Sequence, residues 1–227
     1  MTLSNRLETL LDLVPRCSLA ADIGADHALL TLELLRRGTA ERVLCTDLSE
    51  PSLNKAKTAV AERGEDARVI FCLGDGLSAI HGYSPEAIVI AGMGGETIAD
   101  ILKAHPPREG VRYLLQPMSR ASHLRRFLSE NGYAVTEERL AKDAGRIYPV
   151  LSVVFDPETA KTAQKIDFVC GKANLPAAEN DPLVKEYFTT ILRAFVRRKN
   201  GRKKAGIETS EEDAIIAELR ALLRLSD

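Results

Sequence analysis

Short apolar runs alternate with amphipathic stretches from residue 18 to about residue 155. The runs 19–23, 42–45, 68–71, 87–91 and 113–115 are almost continuously apolar and read as buried parallel strands. Between them, 28–37, 51–63, 96–104 and 119–131 place apolar residues at helical spacing. This order predicts a mostly parallel sheet covered by helices on both faces, with right-handed crossovers. Residues 133–139 and 149–155 are two strand-like runs with no helix between them, which predicts an antiparallel hairpin at the sheet edge. After Asp156-Pro157 the period changes. Val184, Phe188, Ile191 and Phe195 recur at helical spacing, as do Ile215, Leu219, Leu222 and Leu223. They predict a helical hairpin broken at Gly201 to Gly206. Thr209 or Ser210 would cap its second helix, with Ser210 and Asp213 in a capping box.

Composition narrows the class. A chain of 227 residues with 45% hydrophobic and 28% charged residues is ordinary for a globular protein and unlike a disordered one. Its length suits one α/β unit plus a smaller one. No apolar run approaches the roughly 20 residues of a membrane span, and Arg6, Glu8 and Asp12 interrupt the first helix-like stretch, so neither a membrane nor a secretory signal is expected. Cys17, Cys45, Cys72 and Cys170 stand far apart with no C-x-x-C pair, which predicts buried free thiols in a reducing cytoplasm and no metal site. Net charge is only -1, yet residues 185–204 hold eight basic residues against Glu186 alone. A local field of this kind suits a nucleic-acid backbone; it is equally what a solvated helix end looks like.

Ligands of such sheets bind outside the carboxyl ends of the strands. The first strand ends Asp22-Ile23-Gly24-Ala25-Asp26-His27. Gly24 permits close backbone approach, while Asp26 stands where a dinucleotide fingerprint has its second glycine. A carboxylate there repels a pyrophosphate and suits a cationic ligand, which favours S-adenosylmethionine over a nicotinamide dinucleotide. Asp47, 25 residues after Asp22, has the spacing of a ribose-binding acid. Asp75, flanked by Gly74 and Gly76, suits an exocyclic amine. The fourth strand ends in Gly92-Met93-Gly94-Gly95, open backbone where a reacting methyl would sit. Gln116 ends the fifth strand, as a substrate contact or as part of a plain turn. His27 is the one histidine expected in the cleft, and Asp26 with His27 could orient a substrate or exchange a proton.

A βαβ series closed by an antiparallel hairpin is the layout of class I methyltransferases. The motifs Leu3-Ser4-Asn5-Arg6-Leu7, Ala21 to Ala28, Ala91 to Gly95, Leu115-Gln116-Pro117, Leu124-Arg125 and Asp143 to Tyr148 resemble the TrmK family of bacterial tRNA (adenine-N1)-methyltransferases. Leu29, Thr31, Met118 and Pro149 depart from the residues usual in that family. The resemblance covers nearly the whole chain. It implies a class I Rossmann-like domain over 1–157, binding S-adenosylmethionine, and a coiled-coil-like helical hairpin over 158–227 that grips tRNA.

The expected reaction is methyl transfer to N1 of an adenine in the D-loop region of tRNA, by a cytoplasmic monomer. Asp26 and His27 are the expected catalytic residues. Arg6, Asp22, Gly24, Asp47, Asp75, Gly76, Gly92 and Met93 are expected at the cofactor. Gln116, Arg193, Arg197, Arg198, Lys203 and Lys204 are expected at the tRNA. A small-molecule or protein methyltransferase, and a non-catalytic RNA-binding module, are the alternatives.

Overall fold

A computed structural model describes residues 3–160 and 164–225. The outer ends of the two expected units, and residues 161–163 within the second, lie outside the described residues. Seven strands form one sheet: β1 (Cys17–Ile23), β2 (Ala40–Asp47), β3 (Val69–Leu73), β4 (Ala87–Gly94), β5 (Arg112–Ser119), β6 (Tyr133–Asp143) and β7 (Arg146–Phe155). Their order is β3-β2-β1-β4-β5-β7-β6. All pairings are parallel except those of β7, which runs antiparallel to β5 and β6, so the expected edge hairpin is present. The chain lays β2 and β3 on one side of β1 and β4 on the other. The switch point therefore lies between β1 and β4, where Asp22 sits opposite Cys45 and Val89.

Alternation along the strands divides the apolar residues between two faces. Ala20, Val43, Val89 and Leu114 meet α1 (Asn5–Leu11), α2 (Leu29–Arg36) and α3 (Glu50–Ala61) through Leu10, Leu34, Leu53 and Val60. Ile23, Leu44, Ile88, Ile90 and Leu115 meet α4 (Gly95–Lys103) and α5 (Ala121–Glu130) through Ile98, Leu102, Leu124 and Leu128. With side chains filling both faces, the edges of the strands at their carboxyl ends are the free ground for a ligand.

The remaining helices are α6 (Pro157–Ala160), α7 (Lys165–Cys170), α8 (Pro182–Lys204) and α9 (Ser210–Leu222). A third core joins Ile166, Cys170, Val184, Phe188, Leu192, Ile215 and Leu219, with Leu140 and Ile147 of the β6–β7 hairpin against it. Asp181 caps α8 by accepting from the N–H groups of Leu183 and Val184 at 2.7 and 3.3 Å, and Pro182 takes the first turn, where no N–H is needed.

Two expectations for this hairpin need correcting. Gly201 does not break α8, which runs on to Lys204. An exposed glycine costs a helix only about 1 kcal/mol, and Arg202, Lys203 and Lys204 favour the last turn through the helix dipole. The stop falls at Gly206, with φ +69°, where the N–H groups of Gly206 and Ile207 donate to the carbonyls of Lys203 and Arg202. The capping box of Ser210 and Asp213 is also absent. Thr209 precedes α9 instead, and its hydroxyl donates to Asp213 Oδ2 at 3.0 Å.

Candidate active site

The loop after β1 is built by backbone geometry. Gly24 has φ +74°, and the N–H groups of Gly24 and Ala25 both donate to the Thr46 carbonyl, at 2.9 and 2.8 Å. The loop is thereby pinned over the end of β2. His27 and Ala28 follow in the left-handed region, at φ 59° and 52°. Two consecutive residues with side chains cost about 1–2 kcal/mol each there, a strain held by the pinned loop on one side and α2 on the other. Asp26 and His27 consequently stand together beyond the carboxyl end of β1, with His27 Nε2 3.4 Å from Asp26 Oδ1 and both side chains more than half exposed.

Asp22 lies beneath this loop. It is 5% exposed and accepts from the Thr31 hydroxyl at 2.8 Å. Burial pushes its carboxyl up to about 6; the Thr31 bonds counteract this, and the nearby Asp47 charge adds to it. Thr46, the neighbour that receives the loop, keeps a buried hydroxyl with no hydrogen-bond partner among the described residues.

At the end of β2, Asp47 accepts from the Ser49 N–H at 2.8 Å and starts the turn into α3. Leu48 beside it is 70% exposed, and Leu73, at the end of the adjacent β3, is 54% exposed. Asp75 is exposed two residues further on. Two bare leucines beside two carboxylates make apolar faces for a planar base, with acceptors at its rim for hydroxyl or amino groups. Neither leucine is among the residues expected at the site. Their only signal was a leucine immediately beyond each apolar strand core. Gly76, at φ +51°, lets the chain turn against Ile101, whose Cγ2 would lie 3.0 Å from an added Cβ.

The glycines that end β4 have separate jobs. Gly92 has φ +77° and is the residue skipped at a register shift between Ala91 and Met93 in the β4–β5 pairing. Nothing lies within 4 Å of where its Cβ would be, so backbone is open to a ligand there. Met93 reaches back to the first loop, its Cε 2.3 Å from an ideal Cβ on Gly24. Gly95 serves packing, because a Cβ there would sit 2.5 Å from the Arg120 carbonyl oxygen.

Gln116 is fully buried. Its Oε1 accepts from Arg6 Nη1 at 2.8 Å and from the Gly92 N–H at 3.3 Å. Its Nε2 donates to the Pro117 carbonyl at 3.0 Å and to Met118 Sδ at 3.7 Å. Those four contacts fill the capacity of the amide, so the side chain stands behind the site and offers nothing to tRNA. Arg6 also lies 3.3 Å from Asp143 at the β6–β7 turn. Outside this framework a cleft of about 370 Å³ runs between Met118, Arg120, Arg146 and Tyr148 on one side and Tyr187 and Thr190 of α8 on the other.

The cations of α8 divide into two sets. Arg198 and Arg202 face Glu212 of α9 at 2.7 and 3.5 Å, and Lys199 pairs with Asp213. Lys203 lies near enough to Asp213 to help hold its carboxyl below the usual range, after the Lys199 and Thr209 hydrogen bonds. Arg193, Arg197 and Lys204 are exposed and have no ion-pair partner among the described residues. They lie within about 40° of one another on a helix of 3.6 residues per turn.

A general methyltransferase-domain family matches residues 3–151, which hold the carboxyl ends of β1 to β5. The chain belongs to this methyltransferase family. Among relatives of the methyltransferase, the tRNA (adenine(22)-N(1))-methyltransferase of Bacillus subtilis is 34% identical over 153 residues, 66% of this chain. That stretch spans less than two thirds, 64%, of the Bacillus protein. A putative tRNA methyltransferase of Mycoplasma pneumoniae is 30% identical over 202 residues, covering 87% of this chain and 92% of the relative. The crystal structure of B. subtilis TrmK superposes with a TM-score of 0.81 at 26% identity, over 98% of this chain and 96% of that one. The resemblance of the methyltransferase to the TrmK family is borne out, as is its fold.

Proposed function

We propose that this methyltransferase moves a methyl group from S-adenosylmethionine to N1 of an adenine in tRNA, as a cytoplasmic monomer. The strand ends suit the donor. Leu48 and Leu73 would flank its adenine, with Asp47 accepting from the ribose and Asp75 from the exocyclic amine. Gly92 would offer open backbone to the methionine part, beside the Gly24 loop. Bound there, the donor supplies an electrophilic methyl.

The remaining chemistry belongs to positioning. Adenine N1 carries an in-plane lone pair and needs no base to remove a proton first. Alignment and exclusion of water then supply most of the acceleration. Asp26, exposed in the loop after β1, accepts from the exocyclic amine of the target, and its charge offsets the positive charge that develops on the ring. His27 orients Asp26. The Watson–Crick edge must be freed, so the target nucleotide leaves its stack to enter.

The observation that carries the tRNA substrate is the row of Arg193, Arg197 and Lys204, exposed cations with no ion-pair partner among the described residues. Transfer of tritiated methyl to bulk tRNA, followed by nucleoside mass spectrometry, tests the reading. It should give 1-methyladenosine. A methyl on another atom, or none on tRNA, would overturn it.

A further inference from the structure

We propose that Arg6 is a positioning residue for methyl transfer: by gripping Gln116 from behind, it fixes the Gly92 end of β4 and ties it to the β6–β7 turn. This rests on the methyl-transfer reading above and adds to it a residue that reaches the reacting region only through another side chain. A primary amide has nearly the same shape with its oxygen and nitrogen exchanged, so its hydrogen-bond partners decide which way it faces. Here two donors, Arg6 Nη1 and the Gly92 N–H, converge on Oε1. The reversed amide would aim its own N–H groups at both, so the Arg6 charge leaves one orientation.

That orientation has consequences on both sides. Gly92 sits in an irregular part of β4, skipped at the register shift between Ala91 and Met93, and the Gln116 oxygen anchors its N–H. The Gln116 nitrogen in turn holds Pro117 and Met118, which border the cleft beside α8. Arg6 Nε faces Asp143 at 3.3 Å, next to a turn in which Ala144 and Gly145 both have positive φ. Lys142 of the same turn pairs with Glu186 of α8 at 2.7 Å, and its carbonyl accepts from Asn5 at 3.0 Å. The α8 face, the β6–β7 turn and the floor of the reaction centre therefore meet at α1. An arginine this engaged is a strut between segments, whereas a cofactor ligand would keep its guanidinium for the donor.

Arg6→Ala, Gln116→Met and the double variant separate the two roles. NMR on the protein without added ligand should show exchange of the Gly92 amide proton speeded tenfold or more by either single change. Affinity for S-adenosylhomocysteine, by calorimetry, should stay within threefold. In methyl transfer to tRNA, kcat should fall tenfold or more with KM for tRNA within threefold. The double variant should be no slower than the worse single one by more than threefold, because both changes cut one connection. Arg6→Lys, which keeps one donor for Gln116, should recover part of kcat; it also stands in if Arg6→Ala does not fold. A tenfold loss of S-adenosylhomocysteine affinity with unchanged Gly92 exchange would make Arg6 a cofactor ligand and overturn the proposal. Multiplying losses in the double variant would overturn it too. If the native protein methylates no tRNA, the substrate reading fails, while the exchange and calorimetry arms still decide the role of Arg6.

Discussion

Arg125 of α5 and Glu138 of β6 form an ion pair closed to solvent, with Nη2 2.6 Å from Oε1 and side chains 4% and 1% exposed. Nothing in the pair is left unsatisfied. Arg125 also donates to the carbonyls of Phe168 and Val169 and to the Tyr187 hydroxyl, and Asn174 donates to Glu138. Gly171 passes so close that a Cβ would lie 2.4 Å from Glu138 Oε1. One buried pair thus fastens α7 and α8 to the sheet.

Removing one partner of such a pair leaves a buried charge and costs about 3–5 kcal/mol. Arg125→Met should therefore lower the melting temperature by roughly 6–20 °C for a chain of this size. The C-terminal helices should loosen first, visible as faster hydrogen exchange in α7 and α8. A loss under about 1 kcal/mol would show that the hub is dispensable.

Much of this architecture was legible in the sequence, for physical reasons that differ by region. The strands from β1 to β5 are covered on both faces, so their apolar runs are unbroken, and β6 and β7 stood out because no helix separates them. Acidic residues at strand ends were legible because chain order alone puts them at the ligand edge. The Arg125–Glu138 hub was not, since its partners come from segments up to 62 residues apart. Arg198 looked like a free cation because Glu212, its partner, belongs to the next helix. Gln116 looked like a substrate contact because the letter says nothing of which way its amide faces. Leu48 and Leu73 carry no mark in the sequence, because an exposed leucine differs from a core one only in its surroundings.

Asp22 should make stability fall as pH rises. Its folded carboxyl is pushed up to about 6, above the ordinary value near 4, so the folded state binds more protons across that window. Above it the charged form is buried at a cost of roughly 2–3 kcal/mol. Asp22→Asn keeps an acceptor for Thr31 and removes the charge. The variant should be more stable than the native protein at pH 8, and the gap should close by pH 4. Urea unfolding at both pH values measures it. A gap that is absent or widens on acidification would mean the carboxylate is stabilised where it lies.

Gly92 and Gly95 should respond differently to alanine. At Gly95 the obstacle is backbone, the Arg120 carbonyl 2.5 Å away, and overpacking costs about 1–3 kcal/mol. At Gly92 there is room, and only the left-handed φ opposes a side chain, about 1–2 kcal/mol. Gly95→Ala should lower melting temperature more. Gly92→Ala should weaken S-adenosylhomocysteine binding more, because it fills space kept open for a ligand. Calorimetry and thermal unfolding of both variants check the reversal of rank.

The basic face of α8 should act through three residues, not eight. Each phosphate contact contributes about 0.7–0.9 to the log–log slope of affinity against salt. Replacing Arg193, Arg197 and Lys204 together with alanine should flatten that slope by about two to three units and leave S-adenosylhomocysteine affinity alone, since the donor site proposed above lies at the strand ends. Replacing Arg198 is the control. Its Nε is 2.7 Å from Glu212, which is 1% exposed, so its loss should act on folding, lowering stability by about 1–2 kcal/mol, with the salt slope changed by less than half a unit. The measurement is tRNA binding between low and moderate salt for both proteins, with thermal unfolding alongside. A flattened slope in the Arg198 variant, or an unaltered one in the triple variant, would show that ion pairing within the hairpin does not decide which cations meet the phosphates.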